Sequence, residues 1–307
     1  MTPFFISIII PNYNHEKFLD ERIQCILNQT YNNYEIIILD DCSTDNSRAV
    51  IEKYRCNEYV SHVVYNEKNS GTTFKQWDKG FELAKGELVW IAESDDSCDE
   101  RFLESLIDSF QDKDIVLTFS RSMQIDGVGK NIGIYPTQLK MDDTIRLYGH
   151  EFIKQYLSKT NVIVNASSAI FRKDAINKIA KDYYSYKGCG DWLFWIYIAQ
   201  QGKVHYCSKP LNRFRQHVKN TTGKLESSGN NPKEVYKIYS FLSDCGYLSK
   251  YRKLRFRVSR LANYIEKKEY YEDNVINDVL KVWHFSKVDY ILAFMLKNYR
   301  MFKKFIS

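Results

Sequence analysis

An α/β fold, with a mostly parallel central sheet flanked by helices and a helical C-terminal segment, is predicted by three observations. Five apolar segments of strand length alternate with helical periodicity between residues 4 and 119. These segments are apolar almost throughout, which is typical of strands in a parallel sheet that is buried on both faces. From about Lys233 onward the sequence is helical, basic and aromatic. The 307 residues therefore suit one α/β domain with an appended segment.

The first half of the chain alternates strands and helices. Predicted strands are Phe4–Ile10, Glu35–Leu39, Val60–Tyr65, Leu88–Ala92 and Ile115–Phe119. Predicted helices are 15–28, one from about Asp45 with Ser43 or Asp45 as N-cap, 73–85 and Arg101–Phe110. Apolar residues recur within each helix at the spacing of one helical face. In such a βα series, ligands bind beyond the carboxyl ends of the strands.

The pattern is looser after residue 120. Residues 120–147 predict a loop-rich excursion, and the polar stretch 209–231 predicts a mobile loop. Between them we expect the helices Gly149–Leu157 and Asp191–Gln200 and the strands Ser168–Phe171 and Lys203–Cys207. We expect Trp77 and Trp90 to lie in the core. For Trp192, Phe194 and Trp195 we expect core packing, with stacking on a sugar or lipid as the alternative.

Composition excludes several classes of protein. With 44% hydrophobic and 27% charged residues, the chain is neither disordered nor collagen-like. Its seven cysteines are scattered and form no C-x-x-C motif, which argues against a disulfide framework or a zinc site and for reduced thiols in a cytosol. No apolar run reaches the length of about 18 residues that spans a bilayer, and we see no signal peptide. We therefore expect a cytoplasmic protein.

The positive charge is concentrated in the C-terminal segment. Residues 224–307 carry 17 basic and 9 acidic residues, whereas residues 1–223 carry 27 and 29. An anionic surface is the partner that such a segment favours. Residues 290–306 mix apolar and basic residues as a helix on a membrane surface does, and a helix packed on the first domain with a solvated basic face explains them equally well. The absence of a recognised binding module argues against nucleic acid.

Acidic and amide side chains follow three of the predicted strands. They are Asn12 and Asn14 after the first strand, Asp40 and Asp41 after the second, and Glu93, Asp95 and Asp96 after the fourth. A single Asp after a strand is usually a helix cap or a turn residue. Such residues at three strand ends indicate a functional site at one edge of the sheet. We expect a divalent cation there, because it would offset the repulsion between the carboxylates. Oxygen ligands suit Mg²⁺ or Mn²⁺.

These motifs resemble the nucleotide-sugar-binding half of the family-2 glycosyltransferases, which have the GT-A fold. The ordered matches are Ser7–Asn14, Leu39–Asp45, Asn69–Gly71, Ala84–Glu87 and Glu93–Asp96, with weaker ones at Gly190–Trp192 and Arg215–His217. The resemblance covers about residues 1–222, and implies a donor half at about 1–119 and an acceptor half at about 120–222. Residues 223–307 form a separate basic helical segment. The implied activity is an inverting, metal-dependent transfer of a sugar to a glycan or lipid-linked hydroxyl in surface polysaccharide synthesis, with peripheral contact at the inner face of the membrane.

The resemblance also implies roles for the matched residues. Residues lining the base and ribose pocket or contacting the nucleoside are Pro11, Asn12, Tyr13, Asp40 and Asp41. Residues 93–95 match the D-x-D motif, with Asp95 holding Mn²⁺ or Mg²⁺ on the diphosphate; Ser94 and Asp96 also belong to the donor site. The first position of the motif is Glu93 rather than Asp, and Glu93 still reaches the ribose. Lys75 stands where family members often carry an Arg-Asn pair, and is a candidate phosphate or carboxylate contact.

The remaining matches concern catalysis and the diphosphate. Asp191 follows Gly188-Cys189-Gly190 and opens an aromatic helix, and an acidic residue at this position is the general base of the family. A helix-cap role for Asp191 is compatible with catalysis. Arg215 and His217 resemble the family's mobile loop that closes over the diphosphate, with Arg215 on the phosphate and His217 on the metal.

Two alternatives to an active transferase stay open. One is a non-catalytic scaffold that binds a sugar nucleotide or glycan. The other is a sugar nucleotidyltransferase, which needs a Gly-rich basic loop after the first strand, where this chain has Pro-Asn-Tyr-Asn. UDP, dTDP and GDP donors all fit the same motifs.

Overall fold

The structure is a computed structural model that describes residues 3–139, 144–216, 230–267, 271 and 273–306. The chain forms two compact units. The first comprises residues 1–157, 161–186 and 190–218, and the second comprises 158–160, 187–189 and 219–307. The boundary predicted at 222 and the division at 119 into donor and acceptor halves stay predictions.

The first unit is built on a sheet that has ten strands within the described residues, in the order β3-β2-β1-β4-β9-β6-β10-β5, with β7 beside β6 and β8 beside β10. The strands are β1 Ile6–Asn12, β2 Tyr34–Asp40, β3 Val60–Tyr65, β4 Leu88–Ile91, β5 Ser97–Cys98, β6 Ile115–Ile125, β7 Asn131–Ile134, β8 Ile145–Tyr148, β9 Ala169–Arg172 and β10 Lys203–Arg215. β1, β2 and β4 are buried along their whole length, as expected for central strands covered on both faces.

Strand direction differs between the two halves of the sheet. β1 is parallel to β2 and β4, and β2 is parallel to β3. β9 is antiparallel to both β4 and β6, whereas β6 and β10 are again parallel. The predicted α/β class is confirmed, and the sheet is mixed rather than parallel beyond β4. The parallel half brings the carboxyl ends of β1, β2 and β4 to one edge.

Helices cover this sheet. They are α1 Glu16–Leu27, α2 Ser47–Glu52, α3 Thr73–Leu83, α4 Phe102–Ile107, α5 Gly149–Phe152, which continues as a π-helical turn over Ile153–Leu157, and α6 Gly190–Ala199. Short 3-10 turns span Asp108–Gln111, Ala166–Ser168, Lys173–Lys178 and Asp182–Ser185. The N-cap of α2 is Asn46, so the prediction of Ser43 or Asp45 was wrong. Asp45 instead accepts hydrogen bonds from the backbone N–H groups of Ser47 and Glu16, which ties α2 to α1.

Aromatic side chains fill the core, as predicted. Trp77, Trp90 and Trp195 are almost fully buried. Trp90 stacks on Phe102 with ring centroids 4.5 Å apart. Every residue of α6 except Asp191 is buried, so α6 is a core helix whose single partly exposed side chain is acidic.

Two segments predicted as loops contain strands. β6 continues to Ile125, and residues 120–147 include β7 and β8. β10 continues through residues 209–215, and residues 217–229 of the predicted mobile loop lie outside the described residues. Polar residues misled the prediction, because they are buried and satisfy one another. Asn212 of β10, for example, donates to Ser122 of β6 at 2.9 Å.

The second unit is helical in its described part, as predicted beyond residue 233. Its helices are α7 Asn230–Asp244, α8 Lys250–Glu266, α9 Asp273–Trp283 and α10 Lys287–Ile306. Arg257 of α8 donates to the carbonyls of Trp283 and His284 and pairs with the buried Asp289 at 2.8 Å, so it fixes the turn between α9 and α10. None of the described helices is both long and apolar enough to cross a bilayer.

Candidate active site

The ends of β1 and β2 carry one hydrogen-bonded group. The register pairs Asn12 with Asp40, and Asn12 Nδ2 donates to Asp40 Oδ1 at 2.8 Å. Ser43 donates to both carboxylate oxygens of Asp40, through its hydroxyl at 2.5 Å and its N–H at 3.0 Å. Asn12 Oδ1 is buried and has no hydrogen-bond partner among the described residues. It is therefore an acceptor available to a hydroxyl or N–H group of a ligand.

Asp41 organises the loop that leads into α3. Its Oδ1 accepts hydrogen bonds from Asn66 at 2.7 Å, from the backbone of Ser70 at 2.9 Å and from Gln76 at 2.9 Å. Its Oδ2 accepts one from the Ser70 hydroxyl at 2.8 Å. The carboxylate is thus fixed in position by donors from two segments. A role in reading the base stays a prediction.

The turn at residues 93–96 follows β4, which is parallel to β1 and therefore ends at the same edge. Glu93 Oε1 accepts a hydrogen bond from the indole of Trp77 at 2.9 Å. Ser94 is buried, and its hydroxyl lies 2.9 Å from Nδ1 of His15. The prediction that three strand ends bring polar side chains to one edge is confirmed.

Asp96 and Asp95 differ in their surroundings. Asp96 is buried, and its carboxylate accepts hydrogen bonds from the backbone of Arg215 at 3.0 Å and from the side chain of Asn165. Asp95 is partly exposed. Of the two, Asp95 is placed to meet a ligand, whereas Asp96 holds the turn to β10.

Burial and a neighbouring carboxylate raise two pKa values in this turn. Burial, followed by the charge of Asp95, raises the pKa of Glu93 to about 8. The same two causes raise the pKa of Asp96. The neutral form of Glu93 is therefore favoured near neutral pH. A cation beside the turn would favour the ionised forms of both carboxyls.

Arg215 is buried and stabilises the turn at residues 93–96. Its Nε donates to the carbonyl of Asp95 at 2.7 Å and its Nη2 to Glu21 at 2.5 Å. Its guanidinium lies over the ring of Phe18, 4.9 Å from the centroid. Only 1% of Arg215 is exposed. A contact of Arg215 with a phosphate stays a prediction.

One segment, residues 161–167, contacts three of the acidic positions. Asn161 Nδ2 donates to Asp191 Oδ2 at 2.8 Å. Asn165 donates to Asp96, as described above. The Ser167 hydroxyl accepts from the N–H of Glu93 at 3.0 Å. Residues 161–167 thus connect the turn at residues 93–96 with the candidate base.

Asp191 is the second residue of α6 and lies partly exposed at its N-terminal end. Its Oδ1 accepts from the N–H of Trp192 at 2.8 Å, so the cap-like interaction and an oriented carboxylate occur together. Trp77 contacts both this helix and Glu93. The ring centroids of Trp77 and Phe194 in α6 are 5.6 Å apart, and the Trp77 indole donates a hydrogen bond to Glu93.

Four of the predicted site residues contribute less to this arrangement. Pro11 is buried in β1, and Tyr13 beyond it is 46% exposed. Lys75 is exposed, and its Nζ donates to the carbonyl of Ser70 at 3.1 Å. His217 lies outside the described residues. Their assigned roles stay predictions.

A divalent cation fits this turn as a site shared with a ligand. Among the described residues, no three His, Cys, Asp or Glu side chains converge closely enough to hold a metal ion by themselves. The turn nevertheless supplies hard oxygen donors in the carboxyl groups of Glu93, Asp95 and Asp96. Mg²⁺ in particular is commonly held by one or two carboxylates together with phosphate oxygens and water. Asp95 is the candidate carboxylate.

Sequence reasoning missed the polar residues that support the site. They are His15, Ser43, Asn66, Ser70, Gln76, Asn161, Asn165 and Ser167. Only Ser43 and Ser70 lie within matched motifs, Leu39–Asp45 and Asn69–Gly71 respectively. For the others, nothing in the local sequence distinguishes a polar side chain that supports the site from one on the surface.

A comparison with protein families decides the affiliation of the chain. The model of glycosyl transferase family 2 matches residues 7–180, which include the ends of β1, β2 and β4. The chain belongs to this family. The match ends before Asp191, so α6 and all later residues lie beyond the matched range.

Individual relatives match about half of the chain. The glycosyltransferase GlyG of Streptococcus pneumoniae is 36% identical over 132 residues, which are 43% of this chain and 44% of GlyG. The putative teichuronic acid biosynthesis glycosyltransferase TuaG of Bacillus subtilis is 31% identical over 144 residues, or 46% of this chain and 57% of TuaG. The chain thus spans about half the length of these curated relatives.

A glycosyltransferase of known structure has the same fold. The crystal structure of S. aureus TarS 1–349 in complex with UDP-GlcNAc matches with a TM-score of 0.65 at 20% identity, over 90% of this chain and 81% of that one. This likeness supports the GT-A assignment that the motifs predicted.

Proposed function

We propose that this chain is an inverting glycosyltransferase that uses a nucleotide-diphosphate sugar and a divalent cation. The observation that carries the proposal is the cluster of acidic and amide side chains at one edge of the sheet, within the range that matches the family. A sugar-transfer site needs such an edge to bind a nucleotide and to neutralise its diphosphate.

The donor is proposed to lie across the ends of β1, β2 and β4. Asn12 and Asp40 face the nucleoside, with the unsatisfied oxygen of Asn12 as an acceptor. Pro11 and Tyr13 line the same pocket, and Asp41 holds the loop that closes it. In the turn after β4 we assign Glu93 to the ribose and Ser94 to the donor site, to which Asp96 contributes by holding the turn. Lys75 and Arg215 are proposed as phosphate contacts. His217 is proposed as a second metal ligand.

The metal is assigned to Asp95. When bound, Mn²⁺ or Mg²⁺ would neutralise the charge that develops on the leaving diphosphate. The protein's own task is to hold Asp95 in the turn, which it does through Arg215 on the Asp95 carbonyl and Asn165 on Asp96.

Asp191 is proposed as the general base. One carboxylate oxygen would accept the proton of the acceptor hydroxyl as its oxygen attacks the anomeric carbon and the bond to the diphosphate breaks. Attack from the face opposite to the leaving group inverts the configuration. Asn161 and the N–H of Trp192 hold the carboxylate in one orientation. This reduces the conformational entropy that the carboxylate loses on reaching the transition state.

The acceptor is proposed to be a hydroxyl of a glycan or of a lipid-linked glycan, in surface polysaccharide synthesis. Two relatives support this acceptor class, because TuaG is a putative teichuronic acid biosynthesis glycosyltransferase and TarS is a poly(ribitol-phosphate) beta-N-acetylglucosaminyltransferase. A cytoplasmic location with peripheral contact to the inner membrane face fits such an acceptor, and α10 offers exposed apolar side chains for this contact.

Thermal unfolding with a panel of nucleotide diphosphates and nucleotide sugars, with and without Mn²⁺, tests the donor site. Binding at a hundredfold excess over Kd raises the unfolding midpoint by about 5 °C or more. We expect a rise that needs Mn²⁺, that one nucleotide produces and that Asp95→Asn removes. The exposed Asp174 supplies a matched control in Asp174→Asn, which should behave as wild type. A well-folded protein that no nucleotide stabilises contradicts the proposal.

Asp191→Asn tests the base. Loss of a general base lowers turnover by about 10²- to 10⁴-fold, whereas the Mn²⁺-dependent stabilisation by the donor should persist. Turnover equal to wild type would rule out Asp191 as the base. Donor binding without turnover in the wild type, across a panel of glycan acceptors, would instead favour the scaffold alternative.

A further inference from the structure

Two of the cysteines lie in contact beside the candidate donor site. Cys25 is in the last turn of α1, and Cys98 is in β5, two residues after Asp96. Their sulfur atoms are 3.3 Å apart. Cys25 is partly exposed, whereas Cys98 is buried. The pair therefore joins a partly exposed cysteine to a buried one.

A buried guanidinium favours the thiolate of Cys25, the partly exposed partner. Arg22 is fully buried, with Nη1 3.7 Å from Cys25 Sγ and its charge over the ring of Trp90 at 4.8 Å. Arg22 Nε and Nη2 have no hydrogen-bond partner among the described residues. Burial raises the pKa of Cys25, but the hydrogen bond from Cys98 and the charge of Arg22 outweigh it and lower the pKa below its ordinary value. A thiolate is the reactive form of cysteine.

We propose that Cys25 and Cys98 form a reversible intramolecular disulfide in response to a hydroperoxide. The Cys25 thiolate attacks one peroxide oxygen, the O–O bond breaks, and Cys25 becomes a sulfenic acid as one water is released. Cys98 then attacks the Cys25 sulfur, the S–O bond breaks, a second water leaves and the S–S bond forms. Two thiols and one H₂O₂ thus give one disulfide and two waters.

The geometry sets what the new bond does. The two sulfurs need to approach by about 1.3 Å to reach a bond length near 2.05 Å. The bond would join positions 73 residues apart in sequence, which restricts the unfolded chain strongly. We expect the oxidised protein to unfold about 5–10 °C higher than the reduced protein. The bond also ties α1 to the strand that directly follows the turn at residues 93–96, so an effect on donor binding rests on the proposed function.

The test uses the reduced full-length chain treated with equimolar H₂O₂ and then with iodoacetamide. We expect the intact mass to show the loss of two hydrogens, peptide mapping to link Cys25 to Cys98, and dithiothreitol to restore both thiols. Cys25→Ser and Cys98→Ala should each abolish the link. Cys56→Ser and Cys245→Ser remove exposed cysteines and should leave it intact.

Other outcomes overturn the inference. One is oxidation of Cys56 or Cys245 while Cys25 and Cys98 stay reduced; another is oxidation of Cys25 to the sulfinic acid with no link to Cys98. If Cys98→Ala fails to fold, the result with Cys25→Ser and the wild-type peptide map still decide. Mass and thiol readouts do not depend on sugar transfer. A chain that binds donor but forms no disulfide therefore contradicts this inference alone, and a disulfide in a chain that binds no nucleotide contradicts the proposed function alone.

Discussion

Asn161 is the residue through which the middle of the chain reaches the candidate base. Its Nδ2 donates to Asp191 Oδ2, and its Oδ1 accepts from the N–H of Ile163 at 3.2 Å. The side chain is thus fixed at both ends, so it holds the carboxylate of Asp191 without taking part in proton transfer. In the proposed reaction Asn161 is a positioning residue.

Asn161→Ala should lower kcat about tenfold, because the loss of one hydrogen bond of about 1.4 kcal/mol in the transition state has this effect. KM for the donor should change little. The measurement is steady-state kinetics over pH, since a base with fewer hydrogen bonds should titrate at a higher pH. Asn131 is exposed in β7, and Asn131→Ala is the matched control. An unchanged kcat and pH profile would show that Asp191 does not need this support.

His205 is a buried histidine in β10 whose pKa is far below its ordinary value. Burial, together with the charge of Arg146 on the neighbouring strand β8, lowers it from 6.5 to about 4. Its Nδ1 has no hydrogen-bond partner among the described residues. The folded protein therefore holds His205 neutral, while the unfolded chain binds a proton below pH 6.5.

The stability of the first unit should consequently fall as pH drops from 6.5 towards 4. The unfolded state binds more protons in this window, so the free energy of unfolding decreases, by up to about 3 kcal/mol near pH 4. His205→Gln should remove this part of the pH dependence, and His62→Gln on β3 should not. Urea unfolding at intervals of pH measures it, with carboxylate titration common to all three proteins. Parallel curves for wild type and His205→Gln would contradict the shift.

At the residue scale, the sequence identifies the acidic side chains at the strand ends better than it identifies the side chains that hold them in place. Asp40, Asp95 and Asp96 stand out because acidic or amide residues follow three predicted strands together, which capping alone does not explain. Asn161 and Asn165 lie in a stretch with no strand or helix signal, and their partners are distant in sequence. Only the folded chain shows that residues 161–167 meet both Asp96 and Asp191.

At the scale of elements, the matched stretch Ala84–Glu87 proves to be a structural joint between α3 and β4. The N–H groups of Lys85 and Gly86 both donate to the Ser7 hydroxyl, at 3.0 and 2.8 Å. Ser7 in turn donates to Glu35 at 2.7 Å. A Cβ on Gly86 would lie 2.4 Å from the backbone nitrogen of Ser7. The motif therefore allows α3 to pack against β1 without itself reaching the candidate active site.

Gly86→Ala should destabilise the first unit by about 1–3 kcal/mol, since the contact is with backbone atoms that cannot move aside. Lys85→Ala changes the exposed neighbour and should shift stability by less than about 0.5 kcal/mol. Urea unfolding followed by tryptophan fluorescence compares the two. Equal midpoints for Gly86→Ala and wild type would mean that the joint is not tightly packed.

Buried polar residues explain why the sequence predicts some strand ends and misses others. β1, β2 and β4 are predicted within a few residues because most of their residues are apolar. β6 and β10 extend beyond their predicted ends through residues such as Ser122 and Asn212, which are buried and hydrogen-bonded to each other. Local hydropathy shows that a residue is polar. It does not show that the residue is buried with a hydrogen-bond partner on a neighbouring strand.

For the whole molecule, the uneven distribution of charge is the main feature. The second unit carries the positive excess, and α10 has five basic residues and one acidic residue in its sequence. That acid, Asp289, is buried and paired with Arg257. The exposed apolar side chains of α10 are Val288, Tyr290, Ile291, Phe294, Met295 and Tyr299. An apolar face without exposed acid on a basic helix suits an anionic lipid surface, and repels a second copy of the same face.

We therefore expect the full chain to bind vesicles that contain an anionic phospholipid and to bind neutral vesicles at least tenfold more weakly. Each basic group near such a surface contributes about 1 kcal/mol, and salt should weaken binding as it screens these charges. Phe294→Ser should weaken vesicle binding about tenfold or more, because burial of a large apolar side chain contributes about 1.5–3 kcal/mol. Ile132 is exposed on β7 in the first unit, and Ile132→Ser is the matched control. Two results would contradict the expectation: equal loss in both variants, or a concentration-dependent dimer that Phe294→Ser dissociates, which would make this face a protein interface.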